Sequence, residues 1–193
     1  GDPEATETYG RFRMLQVFTQ LCMAVDYAHS EGVIHRDLKP ENIMLGDFGE
    51  VFVMDWGLSK LGDDLSEGAI VGTPGYMAPE MARGDHKEVD ERSDIWALGA
   101  ILYELLTGQA PFRAETPMAT LLKVMEEQPV SPKTVNAFVP PDLETICLKC
   151  LEKRPDRRYP SARILAEELE RFLKHEPIQA RPASSLRKAW AWA

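Results

Sequence analysis

His35-Arg36-Asp37-Leu38-Lys39-Pro40-Glu41-Asn42 decides the reading of this chain. Within one short loop it sets a carboxylate, a lysine two residues on and an asparagine five residues on. Phosphoryl transfer uses such a set. A carboxylate orients the attacking hydroxyl and accepts its proton, a cation offsets charge on the transferring group, and a neutral oxygen helps to hold Mg2+. The bland alternative is a surface loop of mixed charge.

Around this loop lie 193 residues, enough for one domain with a core. Apolar residues make up 44% and charged residues 27%, which is ordinary for a soluble globular protein. Asp and Glu number 31 against 22 Lys and Arg, a net charge of -9. That argues against a nucleic-acid partner, because phosphate backbones favour basic surfaces. It fits basic peptide substrates only weakly, since most surface charge is simply solvated. No apolar run is long enough to span a membrane. Gly1 opens the sequence without a signal-peptide pattern, so the chain reads as a candidate fragment. Cys22, Cys147 and Cys150 give no disulfide framework and fit a reducing compartment, the cytoplasm. Cys147-x-x-Cys150 has the spacing of a metal or redox pair. It lies in a strongly helical stretch with no second such pair, so buried helix cysteines are the expectation.

Residues 1–10 are polar and acidic and read as a linker. From Arg11, the positions Met14, Leu15, Phe18, Leu21, Cys22, Val25 and Ala28 recur at helical spacing, and Gly32 stops that helix. Beyond the decisive loop, Ile43–Leu45 and Val51–Met54 are short apolar runs around Gly46-Asp47-Phe48-Gly49-Glu50, which reads as a hairpin. Residues 57–75 read as an irregular loop. Glu91–Thr107 is apolar through most of its length, hence a buried central helix stopped by Gly108 and Pro111. Thr116–Glu127, Asp142–Glu152 and Ser161–Lys174 read as amphipathic helices, the last capped by Ser161. The fold class is therefore mostly α (α+β), with one small hairpin. Residues 176–193 change character, with Pro177, Pro182, Arg181, Arg187, Lys188, Trp190 and Trp192. Basic residues followed by tryptophans suit a juxtamembrane segment, and an interdomain linker reads as well. A membrane would enter only through a segment beyond residue 193.

The opening stretch resembles the catalytic loop of eukaryotic-type protein kinases, with six positions matched in order. The resemblance implies Asp37 as catalytic base, Lys39 on the transferring phosphate and Asn42 on a second Mg2+. A lysine at position 39 implies Ser/Thr acceptors. His35 is expected to pack. Arg36 marks the subgroup whose activation loop is often set by phosphorylation. Two aspartates compete for the other Mg2+ role. Asp47-Phe48-Gly49 matches the family's Asp-Phe-Gly letter for letter, but lies in the hairpin turn. Asp55-Trp56-Gly57 ends the second strand at the family's spacing from Asp37, so Asp55 is preferred. Trp56 then replaces the usual Phe, as in bacterial members. Gly72-Thr73-Pro74-Gly75-Tyr76-Met77-Ala78-Pro79-Glu80 resembles the end of the activation segment. Glu80 is expected to meet Arg158, Thr73 to contact Asp37 and Lys39, and Asp94 to hold the catalytic-loop backbone. Ile43 and Met44 are expected under the adenine of ATP. Ser66, with Asp63 and Asp64 nearby, is a candidate for autophosphorylation, or those acids stand in for phosphate.

The resemblance runs from about Arg11 to Lys174 and covers only the larger, C-terminal lobe of the kinase fold. No Gly-x-Gly-x-x-Gly loop and no Val-Ala-x-Lys strand precede His35. Two expectations follow. The first is a Ser/Thr protein kinase using ATP and Mg2+ on protein substrates, seen in part. The second is a non-catalytic lobe that binds partners through its substrate groove. A lone lobe is also expected to expose apolar surface and self-associate.

Overall fold

The computed structural model describes residues 3–56, 72–85 and 87–180. Its centre is α3, Glu91–Thr107. Asp90 caps it by accepting from the Arg92 amide, and Gly108 ends it at φ 77°, donating its N–H to the Glu104 carbonyl. Ser93 through Tyr103 are buried without interruption, as a helix apolar on every side requires. Gly99 marks its closest approach to α6, Pro141–Cys150: a Cβ there would stand 2.4 Å from the Cys150 Cβ.

Two more helices complete the core. In α1, Pro3–Ser30, residues Leu15, Phe18, Leu21, Cys22 and Val25 face inward. In α7, Ala162–Leu173, residues Leu165 and Leu169 do so, and the Ser161 hydroxyl caps the helix by accepting from the Ile164 amide. Asp26 fastens the two helices together by taking the Arg163 amide and guanidinium, each at 3.0 Å. α4, Pro117–Glu126, is capped by Thr116. Short helical turns at Pro79–Ala82 (α2) and Pro132–Val135 (α5) each begin with a proline, which suits a first helical position. The sheet is one antiparallel hairpin, β1 Ile43–Leu45 and β2 Val51–Val53, with Ile43 opposite Val53, Met44 opposite Phe52 and Leu45 opposite Val51.

Three details depart from the sequence reading. The first helix begins at Pro3, so residues 3–10 are helical where the sequence reads as a polar linker. Periodicity of apolar residues marks only the later part of the helix. The preceding turns carry Glu4 and Glu7, acids that suit a helix N-terminus. The second departure is at the other end. Glu168, 2% exposed, accepts from the amides of Gln179 at 2.7 Å and Ala180 at 2.6 Å, so the chain stays on the lobe past residue 175. The third concerns Ile43. Pleating sends neighbouring side chains to opposite faces. Ile43 packs against the core while Met44 and Phe52 stand out, each about half exposed. Ile43 and Met44, both expected under an adenine, therefore present opposite faces of the strand. The tail residues Arg181, Arg187, Lys188, Trp190 and Trp192, and Ser66 with its neighbouring acids, lie outside the described residues.

Candidate active site

The site is built where the loop between α1 and β1 meets the start of α3. Asp94, in the first turn of α3 and 1% exposed, accepts the His35 amide on Oδ2 at 2.8 Å and the Arg36 amide on Oδ1 at 2.9 Å. Arg36 has φ 69°, a left-handed conformation that costs a non-glycine residue roughly 1 kcal/mol or more. Two hydrogen bonds to a buried carboxylate offset that cost and turn the next residue, Asp37, outward. His35 is fully buried. Its Nε2 donates to the Met54 carbonyl at 3.0 Å, which leaves Nδ1 to accept the Asp37 amide at 3.3 Å. This histidine thus packs and bridges, as expected.

Asp37 sits at the middle of a closed set of contacts. Its Oδ1 accepts from the Thr73 amide at 3.0 Å and the Thr73 hydroxyl at 2.9 Å. Its Oδ2 accepts from Lys39 Nζ at 2.9 Å, and that ammonium also reaches Thr73 Oγ1 at 3.0 Å. The hydrogen bond to Asp37, and then the charges of Asp37, Glu41 and Asp55, hold Lys39 above its ordinary pKa. Asn42 uses its amide group to donate to the Asp37 backbone carbonyl at 2.9 Å, which leaves its side-chain oxygen available as a ligand atom. Gly72 is required at its position: φ is 129°, and a Cβ would lie 3.1 Å from Met77 and 3.4 Å from the Arg36 carbonyl.

The two competing aspartates fall at opposite ends of the hairpin. Met54 donates its amide to the Asn42 carbonyl at 2.8 Å and accepts from His35 through its own carbonyl, so Asp55 follows a residue fastened twice to the loop. Asp55 itself has φ 59°. Trp56 donates its indole N–H to the Val53 carbonyl at 2.9 Å and rests its ring 4.6 Å from that of His35. Asp47 belongs to the distal turn, beside Phe48, which is 94% exposed. With three paired residues in each strand, that turn is roughly 10 Å from Asn42. The structure thus sets Asp55 beside Asn42 and Asp47 away from it. Carboxylate and carboxamide oxygens are the donors Mg2+ takes, so Asn42 and Asp55 fit that ion.

The segment carrying Thr73 is anchored at its end. Arg158 donates to both carboxylate oxygens of Glu80, each at 2.8 Å, and to the backbone carbonyls of Arg92, Glu152 and Lys153. Ser93 adds its hydroxyl to Glu80 at 2.7 Å. Glu80, Ser93 and Arg158 are all buried. Three other groups escaped the sequence reading: His29, bonded to Asp94; the Tyr76 hydroxyl, which donates to Glu104; and Lys153, whose ammonium lies 4.2 Å from the Phe112 ring centre and 5.0 Å from that of Trp96. Each is a lone residue whose partner is distant in sequence, so spacing could not reveal it. Cys22, Cys147 and Cys150 are buried free thiols whose pKa values burial pushes up, which makes them unreactive.

The site joins a carboxylate, an ammonium, a carboxamide and a hydroxyl in one set of contacts. The protein kinase domain family matches residues 4–169, and the chain belongs to it, among the bacterial Ser/Thr kinases of eukaryotic type. The serine/threonine-protein kinase PknB of Mycolicibacterium smegmatis is 40% identical over 164 residues, 82% of this chain and 26% of the relative. PknB of Mycobacterium tuberculosis is 38% identical over 173 residues, covering 87% and 27%. A serine/threonine-protein kinase of Streptomyces coelicolor is 38% identical over 176 residues, covering 89% and 26%. The chain spans about a quarter of the length of these relatives.

Proposed function

We propose that this chain supplies the acceptor-side and metal-binding half of a Ser/Thr protein kinase, which transfers the terminal phosphoryl group of Mg2+-ATP to protein hydroxyls. The observation that carries this reading is the closed contact of Asp37, Lys39 and Thr73. Thr73 already presents a hydroxyl to Asp37 Oδ1 at 2.9 Å, the contact an acceptor Ser or Thr would make. In this reading Asp37 orients the acceptor and takes its proton, and Lys39 faces the transferring phosphate. Asn42 and Asp55 hold Mg2+, which neutralises phosphate charge when bound, and Met44 lies against the adenine. Buried free thiols and use of ATP support a cytoplasmic location, or the cytoplasmic face of a membrane, in this reading.

The test uses a two-lobed form, with a nucleotide-binding lobe placed ahead of residue 1, together with Mg2+-ATP and a protein acceptor. Phosphate should appear on Ser and Thr, and D37N should remove it while nucleotide binding survives. Equal phosphorylation by wild type and D37N would end this reading. The alternative, a non-catalytic partner-binding lobe, is favoured by one observation: Met44, Phe52 and Met54 form an exposed apolar face. Binding of partners by a two-lobed protein that never phosphorylates would select it.

A further inference from the structure

A small cleft of about 210 Å³ opens between the end of α3, the loop that follows it and the end of α4. Phe112, Val130 and Val135 give it apolar walls, and both valines are exposed. The walls are fastened by the protein itself. Asn136 donates its carboxamide to the Leu106 carbonyl at 2.9 Å, and the Thr107 hydroxyl lies within 2.9 Å of the Tyr103 and Gln109 carbonyls. A preformed cleft with apolar walls and a few polar groups is the usual form of a small-ligand site.

Tyr103, 2% exposed, is one of the residues that line it. A buried tyrosine hydroxyl usually finds a partner, as Tyr76 finds Glu104 and Tyr159 finds Glu168. The Tyr103 hydroxyl has none among the described residues. The unpartnered side-chain atoms sealed from solvent there are His29 Nδ1, Arg36 Nε and Trp96 Nε1. The Tyr103 hydroxyl is not one of these, so it keeps its touch with solvent, and the cleft is where that touch lies. Burial, and then Cys147, hold its pKa above the ordinary value, so it stays a donor near neutral pH. Two cations, Arg113 and Lys123, line the same cleft against one acid, Glu127. Lys123 is 3.9 Å from Glu127, a long and half-exposed pair that holds the ammonium weakly. A phenol donor, a loosely held ammonium and apolar walls select a ligand with an anionic acceptor at one end and an apolar body at the other. We infer that this cleft binds an aryl or branched-chain monocarboxylate, its carboxylate on the Tyr103 hydroxyl and the Lys123 ammonium and its body against Phe112, Val130 and Val135. The inference does not depend on the kinase reading, since none of these residues belongs to the set around Asp37.

Phenylacetate is the probe, beside phenylacetamide and phenethylamine, which keep the ring and carry a neutral and a cationic end. Each is titrated into the 193-residue chain at constant ionic strength and followed by 1H–15N NMR. Phenylacetate should shift the Tyr103, Phe112 and Val130 amides along one saturable curve, with a Kd of about 0.1–10 mM for so small a ligand. Phenylacetamide should bind at least about fivefold more weakly, and phenethylamine more weakly still. Y103F removes a hydroxyl that holds nothing else in the lobe, so the protein should melt as wild type does while the Kd rises about tenfold. K123Q should raise the Kd about threefold. No saturable shift up to about 50 mM, equal binding of the acid and the amide, or an unchanged Kd in Y103F would overturn the inference. If Y103F does not fold, K123Q decides: a weakening of about threefold or more supports the site, and a smaller change overturns it.

Discussion

Asp37 gives Oδ1 to the Thr73 amide and hydroxyl, where an acceptor would stand, and Oδ2 to Lys39 with Asn42 at 3.5 Å. In the two-lobed form D37N should therefore lower turnover by about 10²–10⁴-fold while ATP affinity holds, read from initial rates and nucleotide titration side by side. A loss of only two- or threefold would remove Asp37 from its role. The aspartates 55 and 47 give a second comparison. D55N should abolish Mg2+-dependent nucleotide binding, and D47N should leave it intact; a titration in the reverse order would restore the literal Asp-Phe-Gly match. The contacts of the opening stretch were legible because its polar groups sit within eight consecutive positions. Asp55 was legible only through spacing and topology, since its letters are the poorer match. His29 was not legible at all: nothing in a lone histidine announces a partner 65 positions away.

At the scale of elements, the fold was clearest where one local signal and burial agree. Glu91–Thr107 has a capping aspartate, an apolar body and a terminal glycine, and the helix runs between those very bounds. The start of α1 was missed because residues 3–9 carry no periodic run of apolar residues. The Glu80–Arg158 pair joins α2 to the loop after α6, and breaking one side leaves a buried charge. R158L should lower stability by about 3–5 kcal/mol, or the thermal midpoint by roughly 6–20 °C, in melts of the chain. A midpoint within two or three degrees of wild type would show that the pair is dispensable. Lys153 makes a pH prediction. Burial, with the neighbouring charges of Arg83 and Arg158, pushes its pKa down to about 8 from 10.5. The unfolded chain then binds the extra proton between those values, so stability rises with pH from about 8 to 10.5 and the burden of the charged amine is present in full below 8. With solvent screening of the exposed part of the side chain, the rise is on the order of 1 kcal/mol. Denaturant melts across that range should show it, and K153M should flatten it; parallel curves for the two proteins would refute the assignment.

For the whole molecule, the core formed by α1, α3, α6 and α7 is closed without help, whereas the hairpin face is open. The 193 residues should fold into the helical lobe yet phosphorylate no protein, since one aspartate and one asparagine hold phosphate charge without a second set of donors. Incorporation from Mg2+-ATP by the purified chain, lost in D37N, would contradict this. Sedimentation should detect self-association that M44E with F52K abolishes; a monomer at all concentrations would remove the hairpin face as its cause. The grip of Glu168 on the Gln179 and Ala180 amides has a further consequence of a mechanical kind. Whatever follows residue 180 is tethered there, not at the end of α7, and leaves from a fixed origin on the lobe. A linker of n residues searches a volume set by its own length. Loosening this clamp would lengthen the leash by the residues 174–180, dilute any module attached to it, and blur the direction in which it departs.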